Sequence, residues 1–499
     1  MRRALIVLVT AFVPCVATAQ QHVHERGEKL GIVHFPVSCK EAVAPEFDRA
    51  VALLHSFEFG EAIKGFNRVL ARDPACGMAY WGIAMSTWSN PMAAANRPPA
   101  QLLSGRKAIE AARKVASQSS ARERGYIEAV AKLYDSFESS AQRDRVLAYE
   151  HAMHDVSTGY PGDTEAQIFY AISLVGSAPP TDKTYANQNK AADILVPLWK
   201  KQPDHPGLAH YIIHTFDYPA LASRGADAAR EYAKIAPSAA HAQHMPSHIF
   251  TRTGMWKESI ATNLQSMEIA EKSGSIAEAL HAADYAEYAY LQLGLDSLAR
   301  SIVDRLPRLV ARFDVNAITG AAPGSAGVFA IAAIPARYAL ERNAWSDAAA
   351  LQPARSDFPW TDAMTWFARA IGAARLKNVP AAQVAVDSLG ATAARLETMN
   401  EPYWREQVAI QVLEATAWLA LAKGQTDDAE RLMREAARRE DATEKSAVTP
   451  GPLAPAHELL GDMLMELGRK TEALAEYNKT LVTEPNRRRA LAGAALAKQ

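Results

Sequence analysis

The fold class this sequence predicts is all-α: a right-handed superhelical solenoid of stacked helical hairpins. Three observations carry the expectation. No stretch sustains the period-2 alternation of a strand. Apolar and small residues recur instead at i, i+3, i+4 and i+7, in pieces of about 12 to 15 residues. Several of those pieces repeat one another in a common register.

The clearest copy lies near the end of the chain: Leu460-Gly461, Leu464, Gly468, Ala473, Tyr477, Leu481 and Pro485-Asn486. Its spacings are those of the 34-residue helix-turn-helix repeat of tetratricopeptide proteins, with small residues at positions 8 and 20 and Pro at 32. Small side chains there let the two helices of a hairpin approach closely. Ala50, Ala62, Phe66, Leu70 and Pro74 fill positions 8, 20, 24, 28 and 32 of a first repeat, and Ala417, Gly424, Ala429 and Met433 fill 8, 15, 20 and 24 of another. Weaker copies run from Ala191 to Pro203, Ile213 to Pro237, Ser247 to Met267 and Glu287 to Val303. A hairpin of this kind buries its apolar face only by stacking on its neighbours, so no compact domain is expected. Gly/Ala/Pro-rich breaks divide the chain into an extension at 20–43, an array at 44–316, a linker at 317–328, a second array at 329–447, a linker at 448–455 and a last repeat at 456–499.

The balance of 54 Lys+Arg against 55 Asp+Glu in 499 residues, with no basic stripe, excludes the electrostatic footprint of a nucleic-acid binder. Met1-Arg2-Arg3, an apolar run to Val13 and the small-x-small word Ala17-Thr18-Ala19 read as a signal peptide over 1–19. Val13-Pro14 before Cys15 makes a poor lipidation site, and no later stretch reaches 18 apolar residues, so no membrane span is expected after cleavage. The chain is therefore expected to be exported, periplasmic or secreted. In that oxidising setting Cys39 and Cys76, the two cysteines left, are expected to pair. Cys39 precedes the first helix of a hairpin and Cys76 follows the second, and antiparallel helices bring those ends together.

Six of the 14 histidines fall in the 44 residues from His205 to His248. Pro206 suits a first helical turn, which sets His210, His214 and Asp217 on one face at i, i+4 and i+7. His241, His244 and His248 are spaced i, i+3 and i+7, with Pro246 either kinking their helix or delaying its start. Register adds more than density does. His210 and His244 are 34 residues apart, as are His214 and His248, so both pairs occupy positions 5 and 9 of successive repeats. The next repeat sets His281, Asp284 and Tyr288 at positions 2, 5 and 9. Such positions face the concave surface of a solenoid. Imidazoles one turn apart reach one ion, and imidazole suits zinc, copper and iron. His210, His214, His244 and His248 are the expected ligands of a transition-metal ion (Zn, Cu or Fe), with His241, Asp217, His281 and Asp284 as further ligands or their supports. Six histidines could hold two ions. Trp81, Met85 and Trp88, at positions 5, 9 and 12 of the second repeat, read as helix packing or as an apolar extension of the same groove, and Arg252 as a cation for a ligand carboxylate.

The words Leu53-Leu-His-Ser-Phe-Glu-Phe, Ala79-Tyr-Trp-Gly-Ile-Ala-Met, His205-Pro-Gly-x-x-His-Tyr-x-Ile-His and His241-x-x-His-Met-Pro-Ser-His-Ile-Phe resemble those of a group of exported bacterial tetratricopeptide-repeat proteins. The similarity covers about residues 30 to 300 and implies the fold and export, not an activity. No Gly-x-Ser-x-Gly, phosphate-cradling Gly-Lys-Ser/Thr, His-Glu-x-x-His or Cys-x-x-Cys word is present. Two functions remain. One is a metalloprotein, with hydrolytic or redox chemistry in the groove; the other is a non-enzymatic scaffold whose groove binds a peptide, partner protein or small molecule.

Overall fold

The computed structural model of the protein describes residues 27–92, 96–179, 182–399, 401–446 and 448–499. The signal segment expected at 1–19, Cys15 included, lies outside them. Among the described residues there are 24 α-helices and no strand, and no helix is long and apolar enough to cross a membrane. The chain is an α-solenoid of paired helices. The first five pairs are α1 (Ala44–His55) with α2 (Phe59–Arg72), α3 (Gly77–Trp88) with α4 (Pro99–Lys114), α5 (Ala121–Tyr134) with α6 (Gln142–Gly159), α7 (Thr164–Ser177) with α8 (Ala186–Lys201), and α9 (Pro206–Phe216) with α10 (Ala226–Ile235). In the next pair the first arm is split into α11 (Ala240–His244) and α12 (Pro246–Arg252), followed by α13 (Trp256–Ser273). Then come α14 (Ile276–Gln292) with α15 (Asp296–Val310), α16 (Gly324–Glu341) with α17 (Trp345–Ala350), α18 (Pro359–Arg375) with α19 (Val379–Leu396), and α20 (Pro402–Ala422) with α21 (Thr426–Asp441). A last pair, α22 (Ala456–Glu466) and α23 (Lys470–Thr483), is covered by α24 (Arg488–Ala497).

The repeat register is visible in the backbone. The turn inside a hairpin needs one residue in the left-handed region at position 15. Gly254, Gly294, Gly424 and Gly468 supply it, with φ between 67° and 78°. Phe57 takes the same place in the first hairpin with φ 56°, at a cost of roughly 1–2 kcal/mol that glycine would avoid. At positions 8 and 20, Ala50, Ala62, Ala417, Ala429, Gly461 and Ala473 are all buried, as close helix packing requires.

The solenoid does not stay open, contrary to the expectation of a purely neighbour-stacked array. Its first turn closes when α1 and α7 pack against α9. The last repeat returns to the middle of the chain: Trp256 Nε1 donates to the Asn486 carbonyl (3.1 Å), the Arg488 N–H donates to Gln292 Oε1 (2.9 Å), and α24 packs on α14. Fully buried Arg487 anchors this return, meeting Glu458 at 2.7 Å, Glu341 at 2.6 Å and the Tyr288 hydroxyl at 3.0 Å. The extension also crosses the array. Its Lys29 and Ile32 N–H groups donate to Ser238 Oγ and the Asp204 carbonyl, both at 2.9 Å, and Phe35 is buried against Trp81.

The segments read as linkers are built into the body. Within 317–328 the Thr319 carbonyl accepts from the Gly60 N–H (2.9 Å) and the Ala322 N–H donates to Glu278 (2.8 Å), while α14 packs directly on α16. Within 448–455 the Thr449 carbonyl accepts from the Tyr285 hydroxyl (3.0 Å), and Leu453 and Ala454 are buried. Backbone so enclosed must find partners inside the protein, and here it does.

Cys39 and Cys76 form the expected disulfide, with Cα atoms 4.9 Å apart across a sequence separation of 37. The intact mass should rise by two hydrogen atoms under reductant. Cys39→Ser should lower stability in urea denaturation by up to about 4 kcal/mol, the entropy cost of freeing that loop in the unfolded chain.

Burial pushes Glu440 up to about 7, although the Ala456 N–H donates to its carboxylate at 2.8 Å. Its folded value lies above the unfolded 4.5, so this group's stabilisation is complete below pH 4.5 and is lost as pH rises through 7. Glu440→Gln should therefore gain on the parent between pH 5 and pH 8 by about 1–3 kcal/mol in urea midpoints taken at both pH values.

Candidate metal centre

Three successive first arms, α9, α11–α12 and α14, carry the histidines. Pro246 breaks the middle arm at Met245, whose φ and ψ of −56° and −35° keep the two pieces nearly in line. His241 and His244 thus aim inward from the first piece and His248 from the second. All six rings of His210, His214, His241, His244, His248 and His281 are buried, the most exposed being His214 at 7%. The concave face expected to be an open groove is an enclosed interior, because closure of the superhelix covers it.

The six rings sort into two triads. Ligand nitrogens of His210, His214 and His241 lie within 4.8 Å of one another, as do those of His244, His248 and His281. This partition differs from a four-ligand set of His210, His214, His244 and His248: each neighbouring repeat contributes its position-2 histidine to complete a triad. Ring centroids are 5.9 Å apart between His241 and His244 and 6.2 Å between His214 and His248, so the triads adjoin.

Hydrogen bonds on the far side of the rings assign the tautomers. His241 Nδ1 lies 3.0 Å from Glu278 Oε1, His210 Nδ1 2.6 Å from the His55 carbonyl, and His248 Nδ1 2.8 Å from Asp217 Oδ2. Those oxygens only accept, so each Nδ1 carries the proton. His244 Nδ1 faces Asn263 Oδ1 at 2.6 Å, and Asn263 Nδ2 is occupied donating to the Ser259 carbonyl at 2.7 Å. A neutral ring with its proton on Nδ1 has its lone pair on Nε2. Yet His210 Nε2 stands 3.0 Å from His241 Nε2, and His244 Nε2 stands 3.0 Å from His248 Nε2. Lone pairs facing each other at that distance repel unless a cation lies between them. Two nitrogens bound to one ion at about 2.0–2.1 Å are separated by about 2.9–3.4 Å. His214 Nε2 and His281 Nδ1 are buried without a hydrogen-bond partner among the described residues.

Burial, reinforced by the neighbouring imidazoles, holds His210, His214 and His281 well below their ordinary value, and lowers His244 to about 3. Burial likewise lowers His248 to about 4, outweighing the pull of Asp217. Neutral rings are what a metal needs. The supports are charged: burial raises Glu278, but His241 and other partners outweigh it and hold the carboxyl at about 2. Burial also raises Asp217, and Lys445, Arg252 and His248 overcome it to keep it well below the carboxylate range. The pattern is carboxylate–histidine–site, which fixes the tautomer and raises ligand basicity. Aromatic rings wall the two triads: Tyr232 stacks on His210 (4.9 Å), Phe57 on His241 (5.6 Å) and Tyr285 on His248 (5.0 Å).

The other expected site residues fall elsewhere. Asp217 is not on the α9 face but caps its C-terminal end, where it accepts from His248 and from Arg252 Nε (3.0 Å). It supports a ligand, and Arg252 is occupied by it. Asp284 pairs with Arg337 (3.4 Å) outside both triads, and burial raises it to about 6. Tyr288 is buried, donating to Glu484 (3.0 Å). Trp81 packs among Phe35, Tyr126 and Phe169, Trp88 against Tyr134, and Met85 under the Tyr149 hydroxyl; all three are core, not groove. Sequence reasoning missed Glu278, Asn263, Phe57 and Lys445. Glu278, one turn before His281 on α14, had a visible spacing; Asn263 comes from the second arm of the His244 hairpin, while Phe57 and Lys445 are brought in from distant parts of the chain.

A cavity of about 470 Å³ lies beside the centre. Arg252 and Lys445 line it on the side of Asp217, while Phe329 and the stacked pair Trp360 and Trp404 (4.3 Å) line it from the second array.

No family model matches the sequence, and no curated protein matches it. Solved structures similar in arrangement include the tetratricopeptide-repeat domain of P58(IPK), at 12% identity over 92% of this chain and 97% of that one with a TM-score of 0.23. Yeast Tom70 is similar at 11% identity over 92% and 95% with a TM-score of 0.39, and Naa15/Naa10 bound to HypK-THB at 12% over 91% and 73% with a TM-score of 0.22. All three TM-scores lie below 0.5, so the fold assignment stands on the hairpins of this chain.

Asp217→Asn and Glu278→Gln keep the shape of each support and remove its charge. Each should weaken metal binding by roughly 10–100-fold in competition with a chelator, with helical circular dichroism unchanged.

Proposed function

We propose that this protein is an exported α-solenoid metalloprotein that holds two transition-metal ions side by side, one on His210, His214 and His241 and one on His244, His248 and His281. The observation that carries the reading is the pair of Nε2–Nε2 contacts at 3.0 Å whose Nδ1 atoms are all committed to acceptors. Three imidazoles per ion, with neither thiolate nor carboxylate in the triads, suit copper, zinc or iron, and copper(II) heads the affinity order for such donors. Three protein ligands leave a position for water or substrate, which is the arrangement of catalytic ions rather than of closed structural ones. Zinc would activate a bound water for hydrolysis; copper or iron would support redox chemistry. The signal-like residues 1–19 and the Cys39–Cys76 disulfide support export to an oxidising compartment.

A second reading is favoured by the 470 Å³ cavity: a scaffold that takes a small molecule or a peptide end against Trp360 and Trp404, without metal. Elemental analysis of protein purified without an affinity tag separates the two. The metalloprotein reading expects two equivalents of the native ion bound by the triads, with His214→Ala and His281→Ala each losing one while remaining helical. Folded protein that stays free of copper, zinc and iron after reconstitution would leave the scaffold.

A further inference from the structure

Two of the distinctive sequence words contain histidines that the triads do not use: His55 in Leu53-Leu-His55 and His205 in His205-Pro-Gly. Closure of the first superhelical turn brings them together over Glu165, the second residue of α7. Glu165 Oε2 stands 2.9 Å from His55 Nε2, and Glu165 Oε1 stands 3.0 Å from His205 Nε2. Ligand atoms of the three side chains lie within 4.8 Å of one another, and all three residues are at most 3% exposed.

The local structure is shaped around this cluster. Pro206 opens α9 directly after His205, and Gly207 follows because a Cβ there would stand 2.6 Å from His55 Nδ1. The Tyr211 hydroxyl lies 3.0 Å from that same Nδ1, fixing the ring from behind as supports of a ligand do. A buried carboxylate needs a counter-charge. Among the described residues no lysine or arginine pairs with Glu165; its ion-pair partners are the two imidazoles. His205 Nδ1 is buried without a hydrogen-bond partner among the described residues. The cluster is not sealed, because Glu165 and His205 line a separate cavity of about 450 Å³ together with Arg122, Thr164 and Gln202.

We propose that His55, Glu165 and His205 form a further metal site, distinct from the six-histidine centre, that takes a zinc-like divalent cation with an open position facing the 450 Å³ cavity. Two imidazoles and one carboxylate are the donor set of hydrolytic zinc sites, and the carboxylate favours a dication as the occupant. The site differs in chemistry from the all-imidazole triads and does not depend on them, although the two touch: the His55 carbonyl is the acceptor that holds His210 Nδ1. Variants of His55 would confound the two centres, so Glu165 and His205 are the residues to change.

The test is zinc titration of the metal-free full chain by calorimetry, with bound zinc counted after desalting. Glu165→Gln and His205→Ala should each bind one equivalent fewer than the parent, with circular dichroism unchanged. In a folded background carrying His210→Ala, His241→Ala, His244→Ala and His248→Ala, one equivalent should persist and disappear on adding Glu165→Gln. A parent that binds a single equivalent, lost in Glu165→Gln, would support this site and remove the six-histidine reading. Unchanged stoichiometry in both single variants, or no zinc in the folded background, would overturn the proposal.

Discussion

An imidazole taken out of water must satisfy two ring nitrogens, and this molecule buries six of them within a few ångströms. Four have Nδ1 committed to Glu278, Asp217, Asn263 or the His55 carbonyl, which in a neutral ring leaves the lone pair on the opposite nitrogen. Burial holds His210, His214, His244, His248 and His281 below the ordinary imidazole range, because charging several rings together in one dry space is costly. The rest of the site follows from that constraint. The Nε2 atoms converge in two places, and the proposed metal ions would sit between them.

The solenoid makes such an interior available by an unusual use of its repeats. Stacked hairpins normally leave a concave surface open to solvent. Here α1 and α7 meet α9, and α24 returns to α14, so that residues at the same repeat positions are enclosed. The return is held by polar groups that are themselves buried, Arg487 with Glu458, Glu341 and Tyr288. Breaking one partner of such a group leaves an uncompensated charge, so the closure is specified more sharply than apolar packing alone would specify it.

Helical phase was legible because it is a local property. The 34-residue offsets between His210 and His244 and between His214 and His248 place equivalent turns of neighbouring hairpins on one face, and those residues do share an interior. The same reasoning overreached where an element ends or where a face meets a distant one. Asp217 continues the i, i+7 pattern on paper, but α9 stops at Phe216, and its carboxylate supports a ring instead of joining the triads. Trp81, Met85 and Trp88 have the right positions for a groove and are core, because the extension lays Phe35 over Trp81 and later helices cover the rest.

The sequence by itself determined the hairpins, their register, the Cys39–Cys76 pairing and the inward aim of the histidines, since each depends on residues within one or two adjacent repeats. Tertiary structure alone decided that the groove is closed, that the rings divide three and three, and that Glu165 joins His55 to His205 across 110 and 40 residues. Those features arise where one superhelical turn meets another. A periodic pattern sets the angle of each step, but only the packed chain shows which steps touch.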